Sequence, residues 1–360
     1  MENYSSHIDK PVKQRESDAL DAERLKEYLQ EHLPDFNGDL EIEQFPGGYS
    51  NLTYLLKWNN GSCVLRKPPH GTNIKSAHDM NREFKVLSAL RPVYAAVPSP
   101  LLYCDDSSII GSPFYLMERV SGIILRNKIP AGVELTPSVM HSISTAAIDN
   151  LAVLHTIDLD VSGLRNMGKP EGYVQRQVEG WIKRYENAAT DDIADMNNTA
   201  EWMKATIPAD GLPAFIHNDY KYDNLVLNPH DLSNILAVLD WEMATVGDPL
   251  MDLGTSLAYW GEAKDSAALK PFNLTWLEGN LTREQVVQRY AAVRKIAVPD
   301  LFFYYVFGSY KIGVIVQQIY SRYKKGLTTD ERFADLIHVL KACAFNAQQA
   351  IKYKRISHFY

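Results

Sequence analysis

Residues 217–254 read HNDYKYDNLVLNPHDLSNILAVLDWEMATVGDPLMDLG. Asp219 is followed five residues later by Asn224, and two short apolar runs, Leu225 to Leu227 and Ile235 to Leu239, flank the turn-rich PHDLSN and lead to Asp240. A hairpin of that size predicts Asn224 at its start and Asp240 at its end, side by side, with Asp219 on the loop before it. A carboxylate facing an acceptor hydroxyl, with an amide and a second carboxylate gripping Mg²⁺ on nucleotide phosphates, is what phosphoryl transfer requires. Asp and Asn are also common turn residues, so the Asp-to-Asn spacing alone is a weak signal. The hairpin, the second Asp and the downstream block must coincide with it, and they do.

The spacing H-x-D-x-x-x-x-N is the catalytic-loop spacing of protein kinases, with H-N-D in place of H-R-D and Asp240-Trp241-Glu242 where those kinases carry D-F-G. With GDPLMDLG, the chain resembles the aminoglycoside phosphotransferase superfamily, the kinase-like small-molecule kinases. Within it, the chain is most similar to the kinase-like domains that precede acyl-CoA dehydrogenase domains in animals. The resemblance covers nearly the whole ordered chain. It implies an α+β, protein-kinase-like bilobal fold. A small antiparallel β-sheet lobe at 1–118 would hold the nucleotide-binding sheet, a glycine loop and a brace helix. A larger, mainly helical lobe at 119–360 would hold the catalytic loop, the metal site and the acceptor region. In this frame Asp219 is the base and Lys221 neutralises the transferring phosphoryl group. Asn224 and Asp240 hold Mg²⁺, Glu242 assists, and His217 braces the loop.

The elements that must position these residues can be read upstream. Ala22, Leu25, Leu29 and Leu33 form a helical stripe ended by Pro34, after a polar, aperiodic segment of about 17 residues read as loose. Three β-like runs follow: Leu40 to Phe45, Leu52 to Trp58, and Cys63 to Lys67, the last two joined by Asn59-Asn60-Gly61, a hairpin signal. The first two are joined by Pro46-Gly47-Gly48-Tyr49-Ser50-Asn51. Gly47 and Gly48 let backbone N–H groups approach phosphate oxygens, with Ser50 and Asn51 as further donors. An ordinary tight turn is the alternative for this segment taken alone, and the kinase resemblance favours the phosphate loop.

On the third strand, alternation puts Arg66 and Lys67 on opposite faces, so only one enters the cleft. The resemblance places Arg66 at the position of the phosphate-binding lysine. Glu83 projects from within the apolar stripe Ala77, Met80, Phe84, Leu87, Leu90 of a helix expected over 76–90. A carboxylate there is costly unless paired, which makes Arg66 its expected partner and a snorkelling Glu83 the alternative. The resemblance makes 117–120 the hinge, with adenine bonded to the backbone at Glu118 and Val120.

Beyond Thr136-Pro137, a good helix start, the chain reads as helical. Met140, Ile143, Ala147, Leu151 and Leu154 form a stripe ending at a structural His155, and amphipathic segments follow near 172–188 and 197–207. Asp248 and Pro249 read as a helix N-cap and first turn, with Asp252 bracing the catalytic loop. Thr282 and Gln285 make a capping box, and long helices are expected over 301–323 and from about 329 to 353.

Composition bounds the rest. At 360 residues, 46% hydrophobic and 22% charged, the chain suits a soluble bilobal protein. A net charge of −7 argues against a nucleic-acid partner. The apolar run at 301–310 stops at Lys311, too short for a membrane partner, and no secretory leader is expected. Three scattered cysteines suit reduced thiols in the cytoplasm. The expected activity is transfer of the γ-phosphate of ATP, with Mg²⁺ as cofactor, to a hydroxyl of a small-molecule acceptor; GTP as donor and a homodimer stay open. A hydroxyacyl compound, such as a hydroxyacyl-CoA, is the acceptor suggested by the resemblance. The alternatives are an aminoglycoside kinase, disfavoured by few acidic clusters in the C-terminal helices, and a non-catalytic nucleotide-binding protein of kinase fold.

Overall fold

The computed structural model describes residues 4–46, 51–69, 79–129, 132–298, 301–328 and 330–360. Its first part is a six-stranded antiparallel sheet in the order β1-β2-β3-β4-β6-β5. The strands are β1 (Val12–Lys13), β2 (Glu41–Gln44), β3 (Leu52–Trp58), β4 (Gly61–Lys67), β5 (Pro100–Cys104) and β6 (Phe114–Glu118). Strand alternation divides the side chains. Tyr54, Leu56, Leu65, Phe114 and Leu116 pack against Leu25 and Leu29 of α1 (Ala22–His32). Leu55, Val64, Tyr115 and Met117 face Val86, Leu87 and Leu90 of α2 (Met80–Leu90) and join the main core. The same parity sends Lys67 to the α1 side, where its Nζ donates to the Ile110 carbonyl of the short helix α3 (Ser107–Ile110) at 3.1 Å. Arg66 is thereby left to the cleft.

The second part is helical around two small β pairs. Helices α4 (Pro137–Leu154), α5 (Tyr173–Ala188) and α6 (Ala194–Ala205) precede β7 (Ala214–Ile216), β8 (Leu225–Asn228), β9 (Asp231–Val238) and β10 (Thr245–Gly247). Then come α7 (Pro249–Tyr259), α8 (Arg283–Arg294), α9 (Phe302–Lys324) and α10 (Leu336–Tyr353). The expected caps form: Thr136 at α4, Asp248 at α7, and a full Thr282–Gln285 box at α8. Helices α7 and α9 cross closely because glycines meet there. A Cβ on Gly254 would stand 2.4 Å from the Tyr304 carbonyl oxygen, and one on Gly308 2.4 Å from that of Gly254.

The two parts are joined at the linker after β6, where Ile123 exchanges backbone hydrogen bonds with Leu227 of β8 at 2.9 and 2.8 Å. The N-terminal segment, expected to be loose, is instead ordered from Tyr4 and runs beside this linker. Tyr4 N–H donates to Pro229 O and Asp9 N–H to Gly122 O, both at 3.0 Å. Asp9 takes a two-pronged ion pair from Arg126, and Val12 and Lys13 add β1 to the sheet edge. Its order comes from long-range backbone bonds, which leave no periodic signal.

Candidate active site

The loop carrying Asp219 and the turn carrying Asp240 spring from strands paired to each other. Residues Ala214–Ile216 of β7 pair antiparallel with Thr245–Gly247 of β10, so the segment after Ile216 and the one before Thr245 leave the same edge. Between them β8 and β9 form the expected hairpin, with a tighter turn than the apolar runs suggest. Asn228 pairs with Asp231, and bulges absorb the extra residues of β9. Leu225 pairs with Val238 and Leu239 N–H donates to Asn224 O at 2.8 Å, which sets Asn224 beside the residue preceding Asp240.

Asp252, in the first turn of α7, organises the loop. Its carboxylate accepts the backbone N–H groups of His217 and Asn218 at 2.7 and 2.8 Å, and His155 Nε2 at 3.1 Å. Burial works against its ionisation, but His155, His217 and these bonds outweigh it and hold the carboxyl below the usual range. His155 is pushed down by burial, and its Nδ1 accepts from Tyr290 OH at 2.7 Å, so it is a structural residue, as expected. His217 Nε2 lies 2.9 Å from Leu239 O, which can only accept, and its Nδ1 accepts Asp219 N–H at 3.2 Å. These bonds use both ring nitrogens, Nε2 as donor and Nδ1 as acceptor. His217 is a brace with no free nitrogen to act as a base.

Asp219 lies within a cluster of donors. Lys221 Nζ reaches its Oδ2 at 3.0 Å, and Asn224 Nδ2 donates to its main-chain oxygen at 2.8 Å and its Oδ2 at 3.2 Å. Burial pulls Lys221 down, but Tyr259, whose ring lies 4.8 Å from Nζ, together with Asp219, outweighs this and keeps it protonated. Across the cleft, Arg66 Nη1 donates to Glu83 Oε1 at 2.6 Å and its Nη2 to Asp240 Oδ1 at 3.1 Å. Glu83 is 2% exposed, so the carboxylate in the apolar stripe is paired and does not snorkel. Surrounding protein disfavours a charged Asp240, but Arg66 prevails and holds it below the ordinary carboxyl range. Arg82, beside Glu83, donates to the Met167 and Ala244 carbonyls at 2.8 and 2.6 Å, docking α2 onto the segment that follows Asp240.

The structure thus gathers Arg66, Glu83, Asp219, Lys221, Asn224 and Asp240 around one cleft. Gly47, Gly48 and Ser50 lie outside the described residues, as do positions 76–78 of the expected brace helix, which begins at Met80 behind an Asp79 cap. Asn51 Nδ2 donates to Glu242 Oε2 at 2.9 Å, tying the end of the glycine segment to the Asp240 turn. At the end of β6, Glu118 N–H donates to Ser99 O and its carboxylate accepts from Ser99. No group among the described residues accepts the Val120 N–H. Sequence reasoning missed Tyr259 and Lys311. The second carried a signal, a lysine inside an apolar helix.

The sequence matches the model of the phosphotransferase enzyme family (APH) over residues 41–292. It is 34% identical to acyl-CoA dehydrogenase family member 11 of Gallus gallus over 357 residues, covering 96% of this chain and 45% of that protein. It is 36% identical to acyl-CoA dehydrogenase family member 10 of Mus musculus over 313 residues, covering 86% and 29%. The chain therefore spans less than half the length of these relatives. A solved structure from Ralstonia eutropha, provisionally assigned as an aminoglycoside phosphotransferase, aligns with TM-score 0.78 at 29% identity, covering 92% of this chain and 99% of that one. Choline kinase from Cryptosporidium parvum shares the fold, with TM-score 0.62 at 13% identity and coverage of 93% and 98%. Among the described residues, no helix is long and apolar enough to cross a membrane.

Proposed function

The chain belongs to the phosphotransferase enzyme family, and on that premise we propose that it transfers the γ-phosphoryl group of ATP to a hydroxyl of a small acceptor. The observation that carries this is the meeting of Asp219, Asn224 and Asp240 with the Arg66–Glu83 pair on one cleft. Asp219 accepts the proton of the acceptor hydroxyl and orients its oxygen for attack. Lys221, held protonated beside it, supplies positive charge where the phosphoryl group passes. Arg66, oriented by Glu83, contacts the α- and β-phosphates. The phosphates are assigned to Asn51 and, outside the described residues, to Gly47, Gly48 and Ser50, and adenine to the Glu118 carbonyl and Val120 N–H. Asn224 and Asp240 would hold Mg²⁺. The donor set fits, since both are hard oxygen ligands and the amide of Asn224 is turned so that its nitrogen serves Asp219. Among the described residues no cluster of three or more His, Cys, Asp or Glu side chains offers a fuller cage. Two protein oxygens with phosphates completing the shell is the usual arrangement for this ion. When bound, Mg²⁺ neutralises charge on the phosphates.

The acceptor class follows from what surrounds Asp219. Lys221, Lys311 and the ring of Tyr259 lie about it, with Arg184 close enough to act on Lys311. Lys221 and Tyr259 offset the charge of Asp219 and Asp223 there, which suits a neutral or anionic acceptor better than a polycation. A hydroxyacyl compound meets that requirement, in keeping with relatives named for acyl-CoA dehydrogenases. The test is ADP formation from Mg-ATP with three acceptor pools: aminoglycosides, small alcohols and sugars, and hydroxyacyl-CoAs. Asp219→Asn runs beside the wild type. The hydroxyacyl pool should stimulate ADP release, and the variant should lose about two to four orders of magnitude in turnover. Stimulation by aminoglycosides alone would refute the acceptor assignment, and a fully active variant would remove Asp219 from its role.

A further inference from the structure

Lys311 sits at mid-length of α9, 3% exposed, in a helix whose neighbouring positions Tyr310 and Ile312 are buried apolar side chains. Among the described residues no carboxylate comes within ion-pairing distance of it. A buried ammonium without a counter-ion is costly, so its position calls for a reason. Its Nζ donates to the carbonyl oxygen of Asn218 at 2.6 Å and stands 5.6 Å from the ring of Trp181 on α5.

That carbonyl belongs to the peptide unit joining Asn218 to Asp219. The N–H of the same unit donates to His217 Nδ1. The peptide plane that carries the Cα of Asp219 is therefore gripped at both edges, by Lys311 at the oxygen and by His217 at the nitrogen. Asn218 itself has φ of 68°, in the left-handed region that asparagine tolerates better than other side-chain-bearing residues. Its N–H is held by Asp252, its side-chain oxygen by Tyr173 OH at 3.2 Å, and its side-chain nitrogen by Met243 O at 3.1 Å. With the N–H edge held by His217, Lys311 holds the opposite edge of the peptide that aims Asp219.

We propose that Lys311 is a positioning residue for phosphoryl transfer, clamping the Asn218–Asp219 peptide so that the Asp219 carboxylate faces the acceptor hydroxyl. This rests on the phosphotransferase reading above. The clamp is pH-sensitive. Burial holds the ammonium at about 8; Asp219 and Asp252 pull it up, and Lys221 and Arg184 push it down. The buried faces of α6 and α10 packed against α9 contribute Met196, Met203, Cys343 and Asn346, and no charged side chain.

Lys311→Met removes the charge and the donor at similar volume, while Lys311→Gln keeps a donor and removes the charge. Turnover, KM for Mg-ATP, melting temperature and hydrogen exchange of the 217–221 amides are measured for each. The clamp predicts a kcat loss of about 10²-fold for Lys311→Met, the scale of a small misplacement of a catalytic group. Lys311→Gln recovers part of it, KM for Mg-ATP stays unchanged, and the melting temperature is not lowered. Exchange at Asp219 speeds up in Lys311→Met. Wild-type kcat falls as pH rises through about 8, and that limb disappears in Lys311→Gln. Wild-type kcat and exchange in both variants would overturn the proposal, as would losses that track a lowered melting temperature. A wild type that forms no ADP with any acceptor refutes the phosphotransferase reading and the catalytic role with it. The exchange measurement still decides, separately, whether Lys311 clamps the loop.

Discussion

Replacing Glu83 by Gln tests the brace on which the nucleotide assignment depends. Removing one partner of a buried ion pair costs about 3–5 kcal/mol, because the other charge is left in a poor solvent. Two features of this site reduce that figure. Arg66 keeps Asp240 at 3.1 Å, and the carbonyl of a glutamine can still accept the Nη1 proton that Glu83 Oε1 now takes. A loss of about 2–3 kcal/mol follows, or about 4–6 °C in Tm at roughly 2 °C per kcal/mol for a large chain. With residue 83 neutral, Asp240, with Glu242 nearby, dominates the charge facing the guanidinium and draws it away from the phosphate position. KM for Mg-ATP should rise by about ten-fold, equivalent to ~1.4 kcal/mol of binding. Thermal denaturation and ADP release read the two effects independently. Asp149→Asn is the reference, because it breaks the exposed Arg289–Asp149 pair, whose side chains are 44% and 35% accessible, and should cost under about 1 kcal/mol. A Glu83→Gln protein that melts with the wild type and keeps its KM would refute the reasoning.

Asp240→Ala should abolish Mg²⁺-dependent nucleotide binding in calorimetry, since Asn224 alone is a weak ligand; retained binding would remove Asp240 from the metal set. His155 titrates below its ordinary 6.5 in the folded protein, so the unfolded chain takes up a proton first and wild-type stability falls as pH drops through that value. His155→Gln should lower stability at pH 7 by roughly 1–3 kcal/mol yet flatten that acid slope, as followed by chemical denaturation at several pH values. Gly122→Ala places a Cβ 2.4 Å from the Leu227 carbonyl oxygen, against backbone that cannot swing away. A cost of about 1–3 kcal/mol or more is expected in the same assay.

Much of this architecture is legible in the chain because it is local or forced. The Arg66–Glu83 pair could be inferred because a carboxylate in an apolar stripe demands a partner, and alternation on β4 offers Arg66 to that face and withdraws Lys67. The cap of α7, the capping box of α8 and the Asn224–Asp240 adjacency are set by residues close in sequence. What could not be read depends on distant pairings. The order of the N-terminal segment rests on carbonyls of Pro229 and Gly122, which no pattern in its own residues announces. Strands β7 and β10 are three residues each, too short for periodicity to show, and exist because they pair with each other. Lys311 was visible as an anomaly in an apolar run, but its target lies 93 residues away on a backbone atom without side-chain identity.

The segment from Tyr4 to Lys13 has a mechanical consequence. A bilobal enzyme joined by one linker can bend, twist and slide about that single crossing. Here the chain passes between the lobes twice, once through 9–12 and once through the stretch after Glu118, and the two passes are stapled together by Asp9 and Gly122. Two adjacent crossings define a line, and rotation about that line is the only motion that stretches neither. Torsion and shear between the lobes would stretch these bonds, whereas opening of the cleft about that line would leave them intact. Each closure then returns Arg66 and Asp219 to the same register.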